Sequence, residues 1–287
     1  MRAIVTVISE QYAAQYRVLR ESIRAYCPTL QIIVGVYGTE EFVDKLRAEE
    51  SLGFQTVIDV QKRPGMKRAL YPDSYDDGTY IAAIRYKLIQ QLFEEAFASE
   101  VLLLGSDMRF YAPAVDCFDV PNRYSMAVTP HVLTKLPDDG KFPSMRMLQL
   151  TGHLNGDYVF FRNTARVRNF IKFVAEELET KCLGEHNHGI FFDQTYLSLC
   201  YIFLPNIVYT VPDLGINMAY YNLHERVLDE DGMINSGIAS LKLFHFTGFN
   251  RRDPSRLSRY IQRREQLTLP IVKLALEYAK AVDDKDF

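Results

Sequence analysis

Apolar and polar positions alternate along the chain in two rhythms. Short apolar runs, AIVTVI (3–8), LQIIVGVYG (30–38) and FQTVIDV (54–60), have the composition of strands buried on both faces. Between them lie segments of helical spacing. Gln11 to Tyr26 places Tyr12, Tyr16, Leu19 and Ile23 on one face and stops before Pro28, and EEFVDKLRAEE (40–50) is a charged amphipathic helix. This β-α-β-α-β opening predicts an α/β fold with a parallel sheet and right-handed crossovers. A turn-rich stretch (62–80) follows, then a strong helix over 81–97 and a strand, VLLLGSD (101–107). Later apolar runs predict strands at 124–130, 157–163 and 206–211, a long helix over 164–183 and a terminal amphipathic helix.

The strand 101–107 delivers a lone acid, Asp107, to the end of an apolar run. In open α/β sheets ligands bind at that edge. No repeat or linker interrupts the pattern, so one domain is expected: a catalytic part over 1–254 and a C-terminal helical extension of it over 255–287.

Composition narrows the partners. The chain has 287 residues and a formal net charge of -3, which argues against nucleic acid. Its four cysteines lack CxxC spacing, so they suggest a reducing compartment rather than zinc or a disulfide scaffold. No run reaches the roughly 18 apolar residues of a membrane span, and the N-terminal run is too short for a signal segment. The expected location is cytoplasmic, with peripheral contact to the inner membrane face or to a partner domain open to the Arg-rich stretch 251–264.

Six segments then stand in one order: LLLGSDMRFYAP (102–113), AVTPHVLTKLPDDGKFPS (127–144), GHLNGDYVFFRN (152–163), FFDQTYLSL (191–199), DLGINMAYYNLHERVL (213–228) and LFHFTGFNRRDP (243–254). Together they resemble a family of bacterial GT-A-fold glycosyltransferases and, more distantly, glycogenin and the lipopolysaccharide galactosyltransferases. The resemblance spans roughly residues 1–255. It implies a Rossmann-like, mixed but mostly parallel sheet flanked by helices, and transfer of a sugar from a UDP- or GDP-sugar to a glycan or lipid-linked glycan acceptor in cell-surface polysaccharide synthesis. The glycogenin-like motif order leans toward retention of configuration. One departure stands out. The family's strand ends Asp-x-Asp, whereas here Gly105 replaces the first acid.

The chemistry asks for groups that neutralise a leaving diphosphate. Asp107 and His245 are the candidate ligands for Mn2+ or Mg2+, with phosphate oxygens and water completing the shell. The glycogenin-like resemblance makes Gly248, Arg251 and Arg252, which follow His245, candidate diphosphate contacts, with a solvated basic helix start as the alternative, whereas the later arginines read as a solvated face. Arg85 and Lys87 precede the Asp107 strand and are donor-side candidates, or plain surface charges. Asn155, Gly156 and Asp157 offer a turn that can approach a ligand, or a simple β-turn. The resemblance turns Asp193 and Gln194 toward the donor sugar as catalytic candidates, while Asp193 alone is equally a helix cap. Tyr12 could stack on the nucleotide base. His131, Asn222 and His224 are acceptor-side candidates. His186 and His188 have metal-like spacing in a loop that turn chemistry also explains.

Two other classes remain at this stage. A nucleotide-sugar or glycan binding module would have weakened catalysis through the loss at Gly105. A nucleotidyltransferase would need a Gly-rich loop after the first strand, and SEQYAAQY (9–16) has none.

Overall fold

A computed structural model describes residues 1–49, 53–185 and 189–285. The histidine pair His186 and His188 lies outside the described residues. The strands are β1 (Arg2–Ser9), β2 (Gln31–Tyr37), β3 (Gln55–Asp59), β4 (Glu100–Leu104), β5 (Met108–Phe110), β6 (Met126–Pro130), β7 (Leu154–Arg162), β8 (Gly184–Glu185), β9 (Ile190–Phe191), β10 (Val208–Thr210), β11 (Met233–Ile234), β12 (Ala239–Ser240) and β13 (Leu243–His245). The helices are α1 (Ala13–Tyr26), α2 (Glu40–Ala48), α3 (Asp77–Glu94), α4 (Met145–Thr151), α5 (Ala165–Lys181), α6 (Gln194–Leu197), α7 (Cys200–Phe203) and α8 (Leu269–Asp283).

Seven strands form the main sheet in the order β10-β6-β7-β4-β1-β2-β3. β1 pairs in parallel with β2 and β4, and β2 with β3. β7 runs antiparallel between β4 and β6, and makes the sheet mixed. Alternation along β1 feeds two cores. Val5 and Val7 pack with the α3 and α5 side, through Leu88 and Val167, whereas Ile4 and Ile8 pack with α1 and α2 through Leu19 and Val43.

The chain leaves β1 toward β2 on one side and returns through α3 to β4 on the other. A crevice opens outside the carboxyl ends of β1 and β4 at such a reversal of strand order. Tyr12 follows β1, and Gly105, Ser106 and Asp107 follow β4. β4 stops at Leu104, so Asp107 stands in the turn into β5 rather than on a strand end; its carbonyl accepts from the Phe246 N–H at 2.9 Å. β5 pairs antiparallel with β13 and places His245 opposite Met108.

Three local expectations change. The third long helix begins at Asp77, inside the stretch read as turn, because the Asp76 side chain caps the Thr79 N–H at 2.8 Å. Asn155-Gly156-Asp157 lies within β7, not in a free turn, beside a register shift between Val128 and Thr129. Asp193 is not a side-chain cap; its backbone is already helical, and its carboxylate points elsewhere. A third core joins the C-terminal segment to the rest, with Tyr278 of α8 stacked on Phe246 at 3.6 Å between ring centroids. Among the described residues no helix is long and apolar enough to cross a membrane.

Candidate functional site

Two cavities adjoin at the carboxyl ends of the parallel strands. The smaller, of about 310 Å³, fills the crevice between β1 and β4 and is lined by Tyr12, Arg85, Asp107, Asp193 and Gly248 among others. The larger, of about 650 Å³, is lined by His131, Asn155, Phe142, Met147, Tyr220 and Ile261 among others. Their shared wall includes Asp157, Gln194, Thr247, Arg259 and Tyr260.

A buried ion network forms the floor. Arg85 projects from α3, its Nη1 2.6 Å from Asp157 Oδ1 and its Nη2 2.5 Å from Asp193 Oδ2. The Tyr86 hydroxyl donates to the same Asp193 oxygen at 3.0 Å. Asp193 is 0 % exposed, and its Oδ1 has no hydrogen-bond partner. Burial pushes the Asp193 carboxyl above the usual carboxylate range, against the pull of Arg85. For Asp157, burial pushes upward too, but Arg85 and His245 outweigh it and hold the carboxyl below that range.

Gly156 is what lets this network close. A Cβ there would stand 2.6 Å from Asp193 Oδ2 and 2.7 Å from Arg85 Nη2. Gly156→Ala is therefore expected to destabilise by about 1–3 kcal/mol, the usual cost of overpacking. Chemical denaturation measures this; a neutral change would mean that the Arg85–Asp193 pair moves aside without loss.

His245 is buried, with Nε2 3.3 Å from Asp107 Oδ1 and 3.6 Å from Asp157 Oδ2. Burial disfavours its imidazolium, but the two carboxylates prevail and His245 titrates above its usual range. Among the described residues no group of three or more His, Cys, Asp or Glu side chains is assembled as a metal site. The Asp107–His245 pair offers a hard oxygen and an imidazole nitrogen, a donor set that suits Mn2+ or Mg2+ once phosphate oxygens join it. Gly105 cannot easily regain an acid. Its Cβ would meet Asp157 Cβ and Cγ at 2.9 Å, so Asp157 of the neighbouring strand fills the space.

The other expected residues divide. His131 lines the larger cavity, edge-on to Tyr221 at 4.9 Å; burial lowers it to about 4, and its Nδ1 has no partner. Asn155 accepts from the Asp157 N–H at 2.9 Å and so shapes the β7 bend. Gly248 has φ +65 and lies against the Tyr260 ring, where a side chain would collide. Lys87 points the other way, to Glu179 of α5 at 3.2 Å, because two residues past Arg85 carry it to the opposite face of the helix. Asn222 spends its amide on backbone groups, including the His131 carbonyl at 3.1 Å, and His224 sits beside Thr134; neither lines either of these two cavities.

The arginines are redistributed. Arg251 pairs with Asp283 of α8 at 2.8 Å and Arg252 is exposed, and neither lines either of these two cavities. Of the arginines in this stretch, Arg256 and Arg259, which the sequence assigned to a solvated face, line the cavities. Arg263 is buried and clasps the 135–143 loop through Asp139 at 2.7 Å and the Pro143 carbonyl at 2.9 Å. The stretch 251–264 is thus not one basic face. Thr247, Phe191, Phe192 and Tyr260 also line both cavities and carried no sequence signal beyond their nearness to Gly248 or Asp193.

No protein-family model matches the chain, and neither does any curated protein. Solved structures do match. The galactosyltransferase LgtC, in complex with donor and acceptor sugar analogs, aligns with a TM-score of 0.60 at 15% identity over 100% of this chain and 97% of that one. The bifunctional glycosyltransferase WbbM aligns with a TM-score of 0.53 at 15% identity; the match covers 97% of this chain but only 51% of that one. A glycosyltransferase involved in glycosylation of the major capsid of PBCV-1 gives 0.50 at 12% identity over 88% and 95%. At such identities the likeness is one of fold. With its seven-stranded, mostly parallel sheet, the chain has the Rossmann-like GT-A fold of these glycosyltransferases.

Proposed function

We propose that the protein is a glycosyltransferase that moves a sugar from a UDP- or GDP-sugar to a glycan acceptor in cell-surface polysaccharide synthesis, with retention of configuration. The observation that carries this reading is the pair of adjoining cavities with Asp157 and Gln194 in their common wall. A donor in the smaller cavity and an acceptor in the larger meet at that wall. Holding both there replaces a bimolecular encounter with an oriented one.

The donor side has a part for each piece of the substrate. Tyr12 offers a ring to the base. Arg259 takes the diphosphate role expected of Arg251 and Arg252, because it lines the cavity and they do not. Asp193 turns its unpartnered Oδ1 to a sugar hydroxyl, and Gln194 stands at the wall where the anomeric carbon would lie. Asp107 and His245 would hold Mn2+ or Mg2+, which when bound supplies positive charge to the leaving diphosphate.

Gly105 favours a second reading, a binding module with weakened catalysis, since that position lacks the carboxylate the resemblance leads one to expect. One experiment covers both. Nucleotide sugars are screened for thermal stabilisation with Mn2+ and with chelator, and hits are then assayed for nucleoside diphosphate release with glycan acceptors. A UDP- or GDP-sugar at ~100 times its Kd should stabilise by about 2.7 kcal/mol. Stabilisation with release supports transfer, and stabilisation without release supports the module. If no nucleotide sugar raises the melting temperature in either condition, both readings fail.

A further inference from the structure

We propose that the acceptor of the larger cavity carries an anionic substituent, a phosphate or a carboxylate, and that Arg256 receives it. This rests on the glycosyltransferase reading of the two cavities.

Charge in the larger cavity is unbalanced. Its lining holds two guanidiniums, Arg256 and Arg259, and one carboxylate, Asp157. Asp157 is already bound by Arg85. Other arginines around the site have acids of their own: Arg85 has Asp193, Arg251 has Asp283 and Arg263 has Asp139. Among the described residues neither Arg256 nor Arg259 has a carboxylate partner. Arg259 is accounted for by the diphosphate, since it lines both cavities and lies over the Tyr260 ring at 4.8 Å. Arg256 lines only the larger one.

Arg256 is also held in place without being satisfied. It ends a short turn, Pro254–Arg256, and the next residue, Leu257, is buried with φ +59. A branched side chain in that left-handed region carries strain, which the burial of Leu257 offsets. The Arg256 Nε is buried with no hydrogen-bond partner. Arg256 as a whole is only half-buried and lines the cavity, and no side-chain hydrogen bond among the described residues engages its guanidinium, so a ligand anion there would meet an uncommitted charged donor. Arg is the side chain best shaped for this, because its planar fork matches phosphate and carboxylate.

The rest of the wall suits a sugar ring. Phe142 stacks on Tyr220 at 6.5 Å between centroids, and Tyr260 packs against Tyr220 at 6.1 Å. Aromatic faces accept the apolar face of a sugar. The larger cavity therefore offers rings for the sugar and one guanidinium for its charge.

The test is calorimetric titration of the protein saturated with UDP or GDP, so that the donor cavity is filled. The probes are glucose 6-phosphate, glucuronic acid and methyl glucoside, at fixed ionic strength. At least one anionic probe should bind roughly tenfold or more tightly than the neutral one, and the two anions separate phosphate from carboxylate recognition. Arg256→Gln should abolish that preference, and Arg256→Lys should keep part of it. The nucleoside diphosphate affinity of each variant reports whether its donor cavity is intact. Equal binding of charged and neutral probes, or a preference that survives Arg256→Gln, overturns the proposal. A wild-type protein that binds neither UDP nor GDP would instead sink the glycosyltransferase reading beneath it.

Discussion

Replacing Arg85 with alanine should cost about 3–5 kcal/mol of stability, the range for breaking a buried ion pair by removing one partner. The guanidinium lies between Asp157 at 2.6 Å and Asp193 at 2.5 Å, and the change strands both carboxylates. Asp193 is fully buried, and water cannot take the place of the lost cation there. The loss should also depend on pH. Burial already raises Asp193 above the usual carboxylate range. Without Arg85 that rise grows, and the folded state holds its proton to higher pH than the unfolded chain does. The variant's stability therefore falls as pH rises through the folded Asp193 pKa, and its deficit against wild type is larger at neutral pH than in acid. Urea denaturation at two pH values measures both effects, provided the slope with denaturant is unchanged. A loss below about 1 kcal/mol would mean a solvated network of the kind that surface pairs form.

Much of the frame of this site was legible in the sequence, and the limits have local causes. Apolar runs marked β1, β2 and β3 to within a residue, because a strand buried on both faces leaves a continuous hydrophobic signature, whereas the run 101–107 overshot the end of β4 at Leu104 by three residues. Tyr12 and Asp107, in the segments that follow β1 and β4, both line the smaller cavity. Asp157 was placed near the ligand, but its service as the carboxylate beside Gly105 was not visible. That depends on β7 lying next to β4, and the pairing joins positions far apart in the chain. Arg85 and Lys87 looked alike in sequence. Only the orientation of α3, set by its buried face, sends one to the site and the other to Glu179. The arginines of 251–264 separate for the same kind of reason. After Phe249 the chain turns outward to α8 with Arg251, then folds back over the cavities through the Gly248–Tyr260 contact, which brings Arg256 and Arg259 inward. Nothing periodic in NRRDPSRLSRY encodes that return.

Asp193→Asn should lower kcat/KM for the nucleotide sugar by about 1.5–3 kcal/mol, on the order of 10- to 150-fold. Had Asp193 been a helix cap, asparagine would have replaced it with little change. Instead its Oδ2 accepts from Arg85 and from the Tyr86 hydroxyl, while Oδ1 is buried, without a partner, on a residue that lines the donor cavity. In the variant only the amide oxygen can face Arg85, since a nitrogen there would set donor against donor. The amide nitrogen is thereby turned toward the cavity, and a sugar hydroxyl that donated to a carboxylate oxygen meets a donor instead. The nucleoside diphosphate alone, which lacks the sugar, should bind the variant as it binds the wild type. This contrast separates two roles. A loss confined to the nucleotide sugar places the Asp193 carboxylate on the sugar. An equal loss for the free diphosphate would show that Asp193 acts through Arg85 on the shape of the whole cavity, and the sugar contact would then have to come from Gln194.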